Sequence, residues 1–495
     1  MEFSQYTWDL YKQSKNGKKV IEFFDKDNIF LRDIEAIKLY NPIQYSWISK
    51  KEYQEILDIL SYNVYYDKIF EDYNDFQDFS NVRNFYTDIL EKGIFDREDS
   101  NFFYINPKEY DFFLQINVTL SFFFYQIAPE FCIPNLFIYR FFDLNKIADV
   151  FNIELPPIPK KSNYKARCMY YLDLCEVFYN FRMKSGLTPS ELCAFIYDFA
   201  PNYIKKEMSN MPKPAQAWFI GGKTSEEEEI LDYTFWQGNA ETKKGDILIH
   251  YETSPISAIT CIWIAQTDGV IDPFFHYYSN VYIGNKIKVP HITLNELRAD
   301  KYFSKHPLIR KNFQGVNGWT VSNNDYNQLI RLFQNKNFDI ERLPKLYSSH
   351  ISNDLNLKNE RDVELNLLEP YLTEIGLQES TDYKRQLPIK AGRGKRIYPD
   401  YALHYTEKQD YESAKILIEV KYHMKNNKDI EECFKQARSY ANILESSVII
   451  LCDKNCLIIY KRNNGFDRNN YNKIYWEELK NPDIYNQLRK IIYLK

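Results

Sequence analysis

None of the eight cysteines forms a C-x-x-C pair, and Cys452 and Cys456, with three residues between them, have no second pair to complete a zinc set. The seven histidines are scattered and outline no metal cluster. No stretch reaches the roughly 20 predominantly apolar residues that a membrane-spanning helix needs. Residues 112–129 come nearest, uncharged and containing Phe122-Phe123-Phe124, but Gln115, Asn117 and Gln126 interrupt them, so a buried helix is expected and no membrane partner. The opening Met1-Glu2-Phe3-Ser4 carries no signal-peptide pattern, and a reduced, cytoplasmic protein is expected. A formal net charge of −5 gives no global attraction for nucleic acid, so any such binding has to be local. There is no internal repeat and no long low-complexity segment. Gly221-Gly222-Lys223-Thr224 is the only P-loop-like text, but Ala217 stands where that pattern needs glycine, and the segment reads as a turn.

What the chain does contain points to phosphodiester chemistry. Pro399-Asp400 is expected on one strand, and Glu419-Val420-Lys421 ends the apolar run Ala414-Lys415-Ile416-Leu417-Ile418, which has the character of a central strand. Residues 398–405 read as its hairpin partner, joined through the polar stretch 406–413, and antiparallel pairing would bring Asp400 beside Glu419. Side chains alternate along a strand, so Glu419 and Lys421 share a face. Phosphodiester cleavage calls for a hard divalent cation with oxygen ligands and open positions, which suits Asp and Glu around Mg2+, with Mn2+ as the alternative. A lysine beside such ligands can orient water and counter charge developing on phosphate. The competing reading of Glu419 and Lys421 is a solvated strand end. Just upstream, Lys384, Arg385, Lys390, Arg393, Lys395 and Arg396 surround Gly392 and Gly394 with no acid among them, a loop suited to a DNA phosphate backbone or, on the competing reading, a solvated hairpin tip. His423 would share the Lys421 face only if the strand continued, as a minor substrate contact.

Residues 359–460 resemble the N-terminal nuclease domain of type I restriction enzyme restriction subunits, within the PD-(D/E)xK superfamily. The likeness rests on Asn359-Glu360-Arg361-Asp362-Val363-Glu364, on Leu367-Leu368-Glu369-Pro370-Tyr371-Leu372-Thr373-Glu374-Ile375-Gly376, on Pro399-Asp400, on Ile418-Glu419-Val420-Lys421 and on Gln436-Ala437-Arg438-Ser439-Tyr440-Ala441. The resemblance implies a metal held by Asp400, Glu419 and a helix glutamate, Glu360 preferred over Glu364. It also implies that Gln436 and Tyr440 contact DNA or order the site, although a surface pair on an amphipathic helix reads the same way. Those subunits carry an ATP-driven motor that is not recognisable here, so targeting is expected from elsewhere in the chain or from a separate motor or activator protein.

Residues 215–333 resemble EVE-type domains, small PUA-like β-barrels related to readers of modified RNA. The matching text is Trp218, Phe235-Trp236-Gln237-Gly238-Asn239, Lys244-Gly245-Asp246 before the apolar 247–251, Trp263 on a strand over 257–265, Ile271-Asp272-Pro273-Phe274, and 312–319 ending in Trp319. An aromatic pocket replaces the stacking a base loses when it leaves a helix. Trp218, Trp236, Tyr251, Phe274 and Trp319 are the base-binding candidates, with at least two of the five expected to be core residues instead.

The expected organisation is a multidomain α+β chain of about three domains. It comprises an aromatic-rich α-helical region over 1–210 of no readable role, a PUA-like β-barrel over 215–340 reading a modified base, and an α/β restriction-endonuclease-like domain with a mixed central sheet over 355–495. Pro-rich text at 155–159 and 211–214 marks breaks, and Thr188-Pro189-Ser190-Glu191 reads as a capping box opening a helix that runs toward Phe199 before Pro201. The expected function is a modification-dependent DNA endonuclease of restriction or anti-phage defence. One such site cuts one strand, so a double-strand break needs a homodimer or two nicks. Two alternatives stay open: an abortive-infection nuclease released by a partner or nucleotide-like ligand, and a non-catalytic reader of modified nucleic acid.

Overall fold

In a computed structural model, the described residues are 3–25, 29–48, 50–66, 76–95, 103–106, 108–205, 211–223, 232–349, 356–390, 396–408 and 411–493. The chain is mixed α/β, with helices toward the N-terminus and sheets in the later half. It divides into two compact units, one of 1–212, 218–320 and 332–343, the other of 213–217, 321–331 and 344–495. The helical region and most of the central sheet therefore belong to one unit.

The helical region is built on aromatic packing, and its one small pairing joins Ile94–Phe95 (β1) to Phe103–Ile105 (β2). Helix Asn117–Ile127 buries every residue from Asn117 to Tyr125, because a helix apolar all round has no face to offer water. Its buried amide Asn117 accepts from Asn135 Nδ2 at 2.5 Å. Among the described residues no helix is long and apolar enough to cross a membrane. Thr188 caps helix Pro189–Ala194, giving to and receiving from Glu191 as a capping box requires. Contrary to expectation the helical course does not stop before Pro201. A wide turn over Phe195–Phe199 precedes helix Ala200–Lys205, and its altered hydrogen-bond pattern accommodates the donor that proline lacks.

The central sheet has the strand order β4, β8, β6, β5, β3, β9, with β7 also on β8. Its strands are Ala217–Gly222 (β3), Tyr233–Gln237 (β4), Ile247–Glu252 (β5), Ala258–Ala265 (β6), Val270–Ile271 (β7), Ser279–Thr293 (β8) and Trp319–Val321 (β9). Register shifts at His250/Tyr251, Ile259/Cys261 and Ile262/Ile264 bend it around its own core of Trp218, Ile220, Leu248, Trp263, Val281 and Ile283. Gly245 opens β5 at φ +92, where a Cβ would lie 2.5 Å from the Pro212 carbonyl oxygen. The expected barrel is not closed by backbone pairing among the described residues. Side chains span the gap instead: Trp236 Nε1 donates to Gly221 O at 3.3 Å, Asn317 Oδ1 accepts from Gly221 N at 2.8 Å, and Asn317 Nδ2 donates to Gln237 Oε1 at 3.0 Å. Gly221 and Gly222, expected in a turn, are the last residues of β3. A Cβ on Gly222 would come within 2.6 Å of the Trp236 ring, so the close approach of strand and indole needs glycine there.

The second unit holds a mixed sheet of order β10, β13, β14, β15, β16, β17. Its strands are Tyr383–Arg385 (β10), Tyr401–Lys408 (β13), Tyr411–Val420 (β14), Val448–Cys452 (β15), Cys456–Lys461 (β16) and Asn472–Tyr475 (β17). The short pair Ile389–Lys390 (β11) and Arg396–Ile397 (β12) stands beside it. Among the described strands of this sheet, β14 and β15 are the pair that runs parallel, connected through helix Asn427–Ile443. Ile416, Ile418 and Val420 pack toward the helical run 360–374, whereas Leu417 packs toward Phe434 and Ala437 of helix Asn427–Ile443. Strand alternation thus sends Glu419 to the second of these layers.

Candidate active site and candidate ligand pocket

β13 and β14 pair with Tyr401 opposite Ile418. Asp400 was expected on the strand but lies immediately before it, where its Oδ2 accepts from Val420 N at 2.7 Å. Lys421 follows the last residue of β14, and its Nζ donates to Glu419 Oε1 at 3.1 Å. Gln436 Nε2 donates to the same oxygen at 2.5 Å and lies 3.4 Å from Tyr440 Oη. Helix Asn427–Ile443 covers the face to which Glu419 points, which is why a residue distant in sequence arrives there.

Glu419 is 1 % exposed, and its Oε2 has no hydrogen-bond partner among the described residues. Burial, then the charge of Asp400, pushes its carboxyl up to about 7 despite Lys421. Burial also raises Asp400, eased by the Val420 amide and Lys421 and reinforced by Glu364 and Glu360. Burial pulls Lys421 down, but Glu419 and Asp400 outweigh it and the net shift is upward. One buried and one half-buried carboxylate share a single ammonium. An orphaned carboxylate oxygen in an all-oxygen donor set suits a hard divalent cation.

The third ligand is less assembled. Among the described residues no three His, Cys, Asp or Glu side chains stand together as a coordinating group. Glu360 and Glu364 belong to the helical run on the opposite face of the sheet from Glu419, so either would have to reach around the strand end. Glu364 is bound by Arg361 and lies 3.4 Å from Arg385, and its turn, Glu364–Leu368, is wide. Glu360, exposed at the helix start, has no ion pair among the described residues, yet its charge is felt by both Asp400 and Glu419.

The basic run is divided. Arg385 bridges Glu364 and Glu369, the latter at 3.3 Å, and Lys384 is paired with Glu407, so these two serve the fold of the sheet. Lys390 and Arg396 face each other at the base of the β11–β12 hairpin, both exposed. Arg393 and Lys395 lie outside the described residues. The strand ends at Val420, short of the continuation that would place His423 on the Lys421 face, and His423 turns to Asp453, 3.5 Å away, and to Asn455.

A cavity of about 480 Å3 opens where β3, β4 and the segment after β7 meet. Of the five expected base-binding aromatics, Trp236 alone lines it. Trp218 is 1 % exposed with Nε1 bonded to Asp246 Oδ2 at 3.1 Å, Tyr251 stacks on Phe313 at 3.7 Å, and Phe274 is buried against Phe141 and Tyr170. Trp319 stands near His306, away from the cavity lining. Trp218, Tyr251 and Phe274 are corrected to structural roles, since burial is the ordinary fate of large rings in a curled sheet, whereas Trp319 is half-buried and lies off this cavity. Tyr139, Phe235, Phe275 and Tyr277 supply aromatic walls that sequence reading missed, and Gln115, Gln237 and Asn317 supply amide edges. Only Phe235, Gln237 and Asn317 lay in quoted motif text. Beneath Trp236, buried His250 presents its ring edge to the indole at 5.0 Å and is pulled down to about 4 by burial.

In comparisons with known proteins, the chain matches no family model, no curated protein and no solved structure. The two sites therefore rest on their own geometry.

Proposed function

We propose that this chain is a divalent-cation-dependent DNA endonuclease of modification-dependent restriction or anti-phage defence. The observation that carries this reading is the cluster of Asp400, Glu419, Lys421 and Gln436, with one buried carboxylate oxygen left unpaired. Asp400 and Glu419 would hold Mg2+ or Mn2+, completed by Glu360. When bound, the cation supplies neutralisation of the scissile phosphate and a more acidic water. Lys421 donates to the phosphate oxygens or the attacking water, and Gln436 holds the Glu419 carboxylate in place. Hydrolysis joins one water oxygen to phosphorus, breaks the bond to the leaving sugar oxygen, and returns a proton to that oxygen.

Selectivity is assigned to the cavity around Trp236, whose size, aromatic walls and amide edges suit a single extruded base. The EVE-like and PD-(D/E)xK-like readings of the two segments support this division. The same cavity volume also suits a free nucleotide-like ligand, and that favours as second reading a nuclease effector released by such a signal. The deciding experiment is a cleavage assay with Mg2+ or Mn2+ on matched plasmids carrying unmodified, methylated or hydroxymethylated cytosine. Cutting confined to a modified plasmid is expected. Cutting of all three alike only after a nucleotide is added would move the assignment to the effector, and no cutting under any condition would remove the nuclease.

A further inference from the structure

The cavity in the central sheet is not made by the sheet alone. Tyr139 and Gln115 reach it from the helical region, whose role the sequence left blank. The Tyr139 ring lies parallel to that of Phe235, centroids 4.2 Å apart and planes 4° apart. Tyr139 adopts φ +64, uncommon for a bulky residue. Its N–H is fixed by Asp272 Oδ2 at 3.1 Å, an oxygen that also receives Asn280 Nδ2 at 3.0 Å.

The segment carrying Phe275 and Tyr277 to the cavity is tied from the same side. Arg167, fully buried on helix Tyr164–Ser185, donates from Nε to Pro273 O at 2.9 Å and from Nη2 to Phe275 O at 2.6 Å. Its guanidinium also lies 5.4 Å from the Tyr278 ring, and Tyr278 has φ +77. A buried guanidinium that spends its donors on loop carbonyls fixes the loop's path rather than neutralising an acid. The helical region thus sets two walls of the cavity, one by contributing Tyr139 and the other by holding the loop.

The amide edges are unequally committed. Asn317 is used on both its oxygen and nitrogen. Gln115, exposed at the rim, has no hydrogen-bond partner among the described residues. An amide offers one donor pair and one acceptor, which matches the edge of a base.

Resting on the base-reading role given to the cavity above, we propose that the helical region is its specificity wall, with Gln115 reading the edge of the extruded base and Tyr139 limiting its outline. The site is then a composite that the sheet cannot form alone.

The test uses the full chain and labelled duplexes carrying one 5-methylcytosine, one 5-hydroxymethylcytosine, one N6-methyladenine or none, with affinity and melting temperature measured together. Gln115→Leu and Tyr139→Ala are each expected to lower the ratio of modified to unmodified affinity about tenfold, the scale of one amide–base contact. If Tyr139→Ala melts early, Gln115→Leu decides, because an exposed rim residue is dispensable for folding. A ratio erased by Trp236→Ala but untouched by Gln115→Leu and Tyr139→Ala overturns the helical wall and leaves the pocket reading standing. A parent chain with equal affinity for all four duplexes overturns both, while the nuclease assignment is still judged separately by cleavage.

Discussion

The carboxylate site draws on the start of β13, the end of β14 and the helix that follows, all in one sheet and its covering layer, whereas the pocket around Trp236 gathers Gln115, Tyr139, two strands, the 272–278 segment and Asn317. The first is polar and centred on one buried carboxylate, Glu419. The second is uncharged apart from its rim and lined mainly by rings. Burying a carboxylate costs so much without a partner that each neighbour of Glu419 has an identifiable electrostatic task. Burying a ring costs nothing, so an aromatic wall and an aromatic core differ only in whether space is left beside them.

The sharpest way to break this contrast is at the carboxylates. Asp400→Ala and Glu419→Ala are each expected to lower the cleavage rate by on the order of 10²–10³ or more, the scale of losing one organised electrostatic group, with DNA affinity retained. Parent-level cleavage by purified Asp400→Ala protein would dissolve the site. On the aromatic side, Trp218→Ala should cost about 3–5 kcal/mol of stability, as large-to-small core changes do, and lower the melting temperature. An unchanged melting temperature in Trp218→Ala would mean that the core assignment is wrong.

Protonation sharpens the comparison further. The Glu419 carboxyl, about 7 in the folded chain against an ordinary 4.5, binds its proton more tightly folded than unfolded. Stability is therefore lost as pH rises from 4.5 through 7, by about 3 kcal/mol in all without a cation. Burial sets most of this shift, and the charges of Asp400, Lys421 and Glu360 act on the same group. Thermal melts at pH 5 and pH 8 should show this fall for the parent chain, a smaller fall with Mg2+, and both effects reduced in Glu419→Gln, where Asp400 remains. Equal behaviour of parent and Glu419→Gln would show that burial there is less costly than the geometry indicates.

Trp236→Ala should lower the melting temperature, because the indole packs on the sheet core and bonds Gly221, and should remove any preference for a modified base in the protein that remains folded, since base–ring stacking contributes about 1–3 kcal/mol. Retained preference in that folded protein would place the base elsewhere. The smallest effect belongs to the basic run. Neutralising Arg393, Lys395 and Arg396 together should flatten the slope of log affinity against log salt, whereas Arg385→Gln should leave that slope alone, because Arg385 is occupied by Glu364 and Glu369. Identical slopes for both variants would erase the distinction between phosphate-facing and sheet-bound cations.

Local rules carried the sequence reading a long way in the second unit. The apolar run 414–418 and its end at Glu419-Val420-Lys421 implied a buried strand with two charged residues on one face, and the polar hairpin implied that Asp400 would arrive beside Glu419. The Thr188–Glu191 capping box was likewise readable, because capping depends only on residues three apart. Asp400 sits just before its strand rather than within it, a shift that one accepted hydrogen bond decides.

By itself the sequence determined the helical character of the N-terminal region, the capped start of the helix at Thr188, the alternation along 414–420 and the approach of Asp400 to Glu419, since these follow from short-range periodicity and pairing. Tertiary structure alone decided which rings border empty space and that Arg385 is tied to two glutamates. It also decided that Tyr139 and Gln115 meet β4 at one cavity. Those outcomes depend on how curled sheets and packed helices fill volume, and residues far apart in the chain carry no local mark of it.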